Sequence, residues 1–160
     1  GLDPRLMNEP SFRAACVPSA NMNMSAFGLA TVYRSLLDTR SGPGGVLSAR
    51  ARSALRENVA AAVGAERGGD AISWEFFPHG FRPYTFSGGA GGAAPRAGAF
   101  GFNGLGQMAG FVDPHSGIAA ACLVNQLSAG ERVPVAAEVL KFVTAQLGAG
   151  EFDANGMFGV

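Results

Sequence analysis

Apolar residues recur at helical spacing in three places along the 160 residues. The first set is Leu29, Val32, Tyr33, Leu36 and Leu37, the i, i+3, i+4, i+7, i+8 stripe of an amphipathic helix. Ser25 stands where its N-cap belongs, and the Ser-Gly-Pro-Gly-Gly run at 41–45 ends it. The second set begins at Ser48 and runs through Leu55, Val59 and Val63 to Gly64, with Arg52, Arg56 and Glu57 on the polar face. The third is Val135, Val139, Phe142, Val143 and Leu147, the buried stripe of a last helix. Pro134 suits its first turn and Gly148 its end.

Between the second and third helices the pattern turns extended. Ile72 to Phe77 and Gly80 to Phe86 are short aromatic-rich segments, and Pro83 favours an edge position for the second of them. Their aromatic side chains are explained most simply by strand packing, with a substrate pocket as the other use. Residues 87–98 are glycine and alanine with little to bury, a flexible loop. A glycine-punctuated strand near 99–105 follows, then a tight return, a second strand, an Asp113-Pro114 turn, and an apolar third strand from Gly117 to Asn125. Residues 1–24 read as irregular because Pro4, Pro10 and Pro18 interrupt them, and 149–160 as a loose tail. These elements predict a single α+β domain over 1–160. In it an antiparallel sheet carries a C-terminal helix across one face, with two N-terminal helices.

Composition removes several functional classes. Apolar residues make up 48%, a globular value, and 12 basic residues balance 12 acidic ones. With no net field to attract a polyanion, nucleic acid is excluded as the expected partner. No apolar run of about 18 residues exists, so no membrane span is expected. Cys16 and Cys122 provide neither a disulfide framework nor, with His79 and His115, a metal-ligand spacing. No metal and no cofactor is therefore expected, and nothing fixes a compartment. His115-Ser116-Gly117 follows Asp113-Pro114 and reads as a turn rather than a catalytic box. The opening Gly1-Leu2-Asp3 is neither a signal peptide nor an initiator start, which suggests processing or truncation.

The stretch Phe100-Gly101-Phe102-Asn103-Gly104-Leu105-Gly106, with Gly110-Phe111-Val112-Asp113 and the strand ending in Asn125, resembles the C-terminal part of the β-lactamase-related serine hydrolases. That family comprises class C-type β-lactamases, D-alanyl-D-alanine carboxypeptidases and esterases. Two further segments are similar to it: Pro18 to Ala30, a loop entering an Ala/Leu-rich helix, and Asn125-Gln126-Leu127-Ser128 leading to the last helix. The pattern is closest to plant and algal members. The resemblance covers most of 14–148, loosely over 40–98, and implies a partial β-lactamase/transpeptidase-like fold.

In that family an acyl group passes through a serine in a Ser-x-x-Lys motif, a Tyr-x-Asn motif helps move protons, and a Lys-Thr-Gly or His-x-Gly motif lies on an edge strand. The third motif falls here on Phe102, Asn103 and Gly104, and the resemblance makes the Leu105 N–H the oxyanion donor. These four residues are the candidate site. The sequence departs from the family at Phe102, which holds no proton where the family has lysine or histidine, and again at Gln107 in place of a glycine. Ser-x-x-Lys is absent, since Lys141 is the only lysine, and Tyr33 of Tyr33-Arg34-Ser35 belongs to a helix stripe.

The resemblance therefore implies the C-terminal section of a serine hydrolase acting on a small ester or amide, with its nucleophile supplied from elsewhere. As a partial sheet it would be bound to its N-terminal section or to a protein partner. The alternative is a degenerate, non-catalytic domain of the same fold serving as a scaffold or interaction subunit.

Overall fold

A computed structural model of the chain describes residues 4–17, 22–37, 46–66, 80–87, 96–104, 108–125 and 135–152. A 3-10 turn at Pro4–Asn8 leads into the short helix α1 (Pro10–Ala14). Residues 1–24 were expected to be irregular, but Pro10 sits in the first turn of α1. There its missing N–H has no bond to lose.

The helix α2 (Ala26–Ser35) starts at Ser25, whose hydroxyl accepts from the Gly28 N–H at 3.1 Å, and α3 (Ala49–Glu66) starts after Ser48, which accepts from Ala51. Tyr33, Leu36, Leu55 and Val59 are buried between these helices and the sheet, whereas Val32 is exposed. Arg52, expected on a solvated face, is buried instead. Its guanidinium donates to the Leu47 carbonyl and so ties down the chain entering α3.

Five strands form one antiparallel sheet: β1 (Arg82–Ser87), β2 (Arg96–Gly104), β3 (Met108–Asp113), β4 (Ile118–Cys122) and β5 (Glu151–Phe152), in the order β4-β3-β2-β1-β5. The α+β layout expected from the sequence is present: an antiparallel sheet packed between helices. Among the described residues, Pro83 falls where β1 has no partner beyond β2, because β5 reaches only Phe86 and Ser87. The segment 72–77 and most of the 87–98 loop lie outside the described residues; β2 itself begins earlier than expected, at Arg96. Gly98 is the extra residue where the β1–β2 register shifts, and its φ of 118° is one that a side chain would oppose.

Each face of the sheet has its own core. On one face Tyr84, Phe86, Ala99, Ala109, Phe111 and Phe152 pack against α4 (Val135–Gln146). The rings of Phe111 and Phe152 stack there with centroids 4.8 Å apart. Phe100 and Val112 face the other way, toward α2 and α3. The tail expected to be loose thus begins with a strand: β5 hydrogen-bonds to β1, and Phe152 is among the most deeply buried side chains.

The orientation of α4 also differs from the sequence reading. Ala136, Ala137, Leu140 and Thr144 face the sheet, while Val135, Val139, Phe142 and Leu147 are exposed and Val143 is half-buried. Alanines bring the helix axis close to a sheet already filled by phenylalanines, so the bulkier residues end up on the outer side. Gly148, at φ 72°, ends the helix as expected.

Candidate functional site

The register of β1 against β2 places the candidate motif. The last β1 pair is Arg82 with Gly101, so Phe102, Asn103 and Gly104 continue past the end of β1 while still paired with β3. The resemblance led us to expect an edge strand. Instead β2 is internal up to Gly101 and has an edge only along these three residues, among those described. Leu105, the expected oxyanion donor, and Gln107 lie outside the described residues.

Alternation sends neighbouring motif side chains to opposite faces. Phe102 follows Phe100 toward α2 and is 42% exposed. Its partner across the ladder, Gly110, leaves room for the Tyr33 ring, which a Cβ there would meet at 2.6 Å. The Tyr33 hydroxyl is in hydrogen-bond contact with the Phe102 main chain. Tyr33 is a core residue, as its place on the helix stripe implied.

Asn103 follows Ala99 and Gly101 to the face that carries α4. Two side chains of β1 converge on its Oδ1: Arg82 Nη1 donates at 3.0 Å, and the Tyr84 hydroxyl stands at 3.5 Å. Sequence reasoning missed Arg82, and it placed Tyr84 only in an aromatic group explained most simply by strand packing. They lie 21 and 19 positions upstream, and only the strand register brings them to the motif.

Burial raises the Tyr33 hydroxyl to about 12, a hydrogen bond from the Phe102 main chain opposing the rise. Burial, reinforced by the nearby Tyr33, pushes Tyr84 up as well, against the pull of the Arg82 charge. Neither phenol is a base near neutral pH. Both favour the protonated form in the folded state. Stability is therefore complete below the unfolded value of about 10 and falls as pH rises through the folded values. For Tyr33, raised to about 12, the loss comes to roughly 2–3 kcal/mol by pH 12. Urea titrations between pH 8 and 12 should show this loss, with a shallower decline in Tyr33→Phe.

The His115-Ser116-Gly117 segment forms the β3–β4 turn. The fully buried Asp113 accepts from the His115 N–H at 3.0 Å, from the Ser116 N–H at 3.2 Å and from the Ser116 hydroxyl. Its carboxylate is thus occupied in holding the hairpin. Burial raises the Cys122 thiol, which disfavours the nucleophilic thiolate. Among the described residues no three histidine, cysteine, aspartate or glutamate side chains group as a metal site, and no helix is long and apolar enough to cross a membrane. Comparison of the chain with models of protein families, with curated proteins and with solved structures finds no match.

Proposed function

We propose that this chain is the C-terminal section of a β-lactamase-related serine hydrolase, contributing the substrate-aligning strand of an acyl-transfer site for a small ester or amide. The observation that carries the reading is the overhang of β2. The three motif positions that the resemblance singled out, Phe102, Asn103 and Gly104, are the three that continue past the end of β1. An extended acyl substrate can lie along such an edge, and the backbone N–H of the following residue can face its oxyanion.

Two exposed surfaces also favour a section that is completed by another. Among the described residues β4 is the outermost strand, and it carries no proline or charged residue to protect its edge. The outer face of α4 adds Val135, Val139 and Phe142, at i, i+4 and i+7, as a second apolar stripe. A complementing segment would pair with the first and pack on the second.

The nucleophile must lie outside these residues, since no Ser-x-x-Lys occurs in them. Treatment of the native full-length protein with a fluorophosphonate, followed by peptide mapping, should find one labelled serine, in a Ser-x-x-Lys upstream of Gly1. A native protein with no labelled serine overturns the catalytic reading. Phe102 favours the second reading, a scaffold that has kept the fold and lost the chemistry, because a phenyl ring there cannot carry a proton.

A further inference from the structure

We infer that Asn103-Gly104 is a self-modifying site, open to conversion into aspartate and isoaspartate without any enzyme, and that Arg82 is the positioning residue that holds it back. Asn-Gly is prone to this chemistry because glycine sets no side chain beside its main-chain nitrogen. The sequence contains two such dipeptides, Asn103-Gly104 and Asn155-Gly156. In the first step the Gly104 nitrogen gives its proton to hydroxide and bonds to the Asn103 side-chain carbon Cγ. The bond from Cγ to Nδ2 breaks, and Nδ2 leaves as ammonia after taking a proton from water. Water then opens the succinimide ring. Attack at Cγ restores the main chain with an aspartate, and attack at the main-chain carbonyl leaves isoaspartate.

The structure supplies both the access and the restraint. Asn103 and Gly104 are half-buried and stand on the part of β2 that extends past β1. A Cβ at Gly104 would meet nothing within 4 Å, so the attacking nitrogen is not walled in. Against this, pairing of Asn103 with Ala109 and of Gly104 with Met108 keeps the backbone extended. A strand side chain stands off the sheet, away from the nitrogen of the next residue. Arg82 Nη1 then fixes the amide by donating to Oδ1 at 3.0 Å, with the Tyr84 hydroxyl at 3.5 Å. Ring closure has to swing Cγ toward Gly104 and so break a hydrogen bond to a charged donor. The guanidinium also draws electrons from Cγ, which favours attack. That helps only once Cγ faces the nitrogen, and the same contact prevents it, so restraint wins.

The two products act oppositely on the overhang. Aspartate sets a carboxylate against Arg82, a stronger partner than the amide it replaces. Isoaspartate lengthens the main chain by one carbon and takes Gly104 out of register with Met108. The inference stands apart from the hydrolase reading, since it needs only the overhang and its contacts.

The test incubates full-length protein at mildly alkaline pH, in native buffer and in urea that unfolds it. Peptide mass spectrometry follows the change of amide to acid, and an isoaspartyl methyltransferase marks the isoaspartate. In urea the Asn103 and Asn155 peptides should convert at similar rates. In native buffer Asn103 should convert more than about tenfold more slowly than in urea. Arg82→Met should raise the native rate about tenfold, the worth of one charge-assisted hydrogen bond. Arg82→Gln, a shorter and neutral donor, should raise it by less, and it serves if the Met variant does not fold. Leu140→Val loosens the core under α4 but leaves Arg82 in place, and it should not change the native rate.

An Asn103 peptide that stays an amide even in urea overturns the site. A native rate equal to the rate in urea overturns the restraint. An unchanged native rate in both Arg82 variants, or an equal acceleration in Leu140→Val, overturns the role of Arg82. None of these readouts needs catalysis, so this inference and the fluorophosphonate result stand or fall separately.

Discussion

Gly101→Ala should be the most damaging single-methyl change in this chain, with an expected loss of about 3 kcal/mol or more. An ideal Cβ at this position would lie 2.1 Å from the Gly110 carbonyl oxygen and 2.6 Å from the Phe111 Cα. Those are main-chain atoms of β3, the ladder partner of β2, so no side-chain rotation relieves the overlap. The two central strands must separate, and the buried stack of Phe111 on Phe152 moves with them. Against a typical total of 5–15 kcal/mol such a loss leaves much of the population unfolded.

Two companion variants make the result interpretable. Gly110→Ala meets the Tyr33 ring edge at 2.6 Å, and a ring can tilt where a backbone cannot, so its cost should be about 1–2 kcal/mol. Gly104→Ala meets nothing within 4 Å and should be close to neutral. Urea midpoints of the three variants, measured side by side, check the order. If Gly101→Ala proved as stable as Gly104→Ala, the close approach of β2 to β3 described here would be wrong.

The legible parts of the fold were those set by local chemistry. Ser25 and Ser48 cap helices because a hydroxyl one step before an apolar stripe satisfies an orphan N–H, and both signals are contained in a few residues. The Asp113-Pro114 turn was legible for the same reason. The rotation of α4 was not, because the helix carries two apolar stripes. Choosing the bulkier one picks Val135, Val139 and Phe142, whereas packing against a phenylalanine-filled sheet selects the alanines. Phe152 was overlooked because two residues are too few for a periodic signal. At the candidate site the motif positions could be named, but Arg82 and Tyr84 could not. Their meeting with Asn103 depends on a register that shifts at Gly98, which no local pattern encodes.

The second large effect expected is a gain. Phe102→His in the full-length protein should raise hydrolysis of a p-nitrophenyl ester about 100-fold, the lower end of what a positioned proton carrier supplies. The structure makes this substitution mild. Phe102 is partly exposed, it faces a glycine across the ladder, and an imidazole is smaller than the ring it replaces. Its main chain remains paired with β3 and in contact with the Tyr33 hydroxyl, so the strand at 102–104 keeps its course. A rate gain in the variant therefore reports proton transfer at 102 and not a reshaped strand. The conservative control is Phe102→Leu, which restores no proton and should gain nothing. A gain confined to histidine, with a bell-shaped pH profile, fits a hydrolase that has lost one group. No gain in either variant, in protein that keeps its fold, favours the scaffold reading.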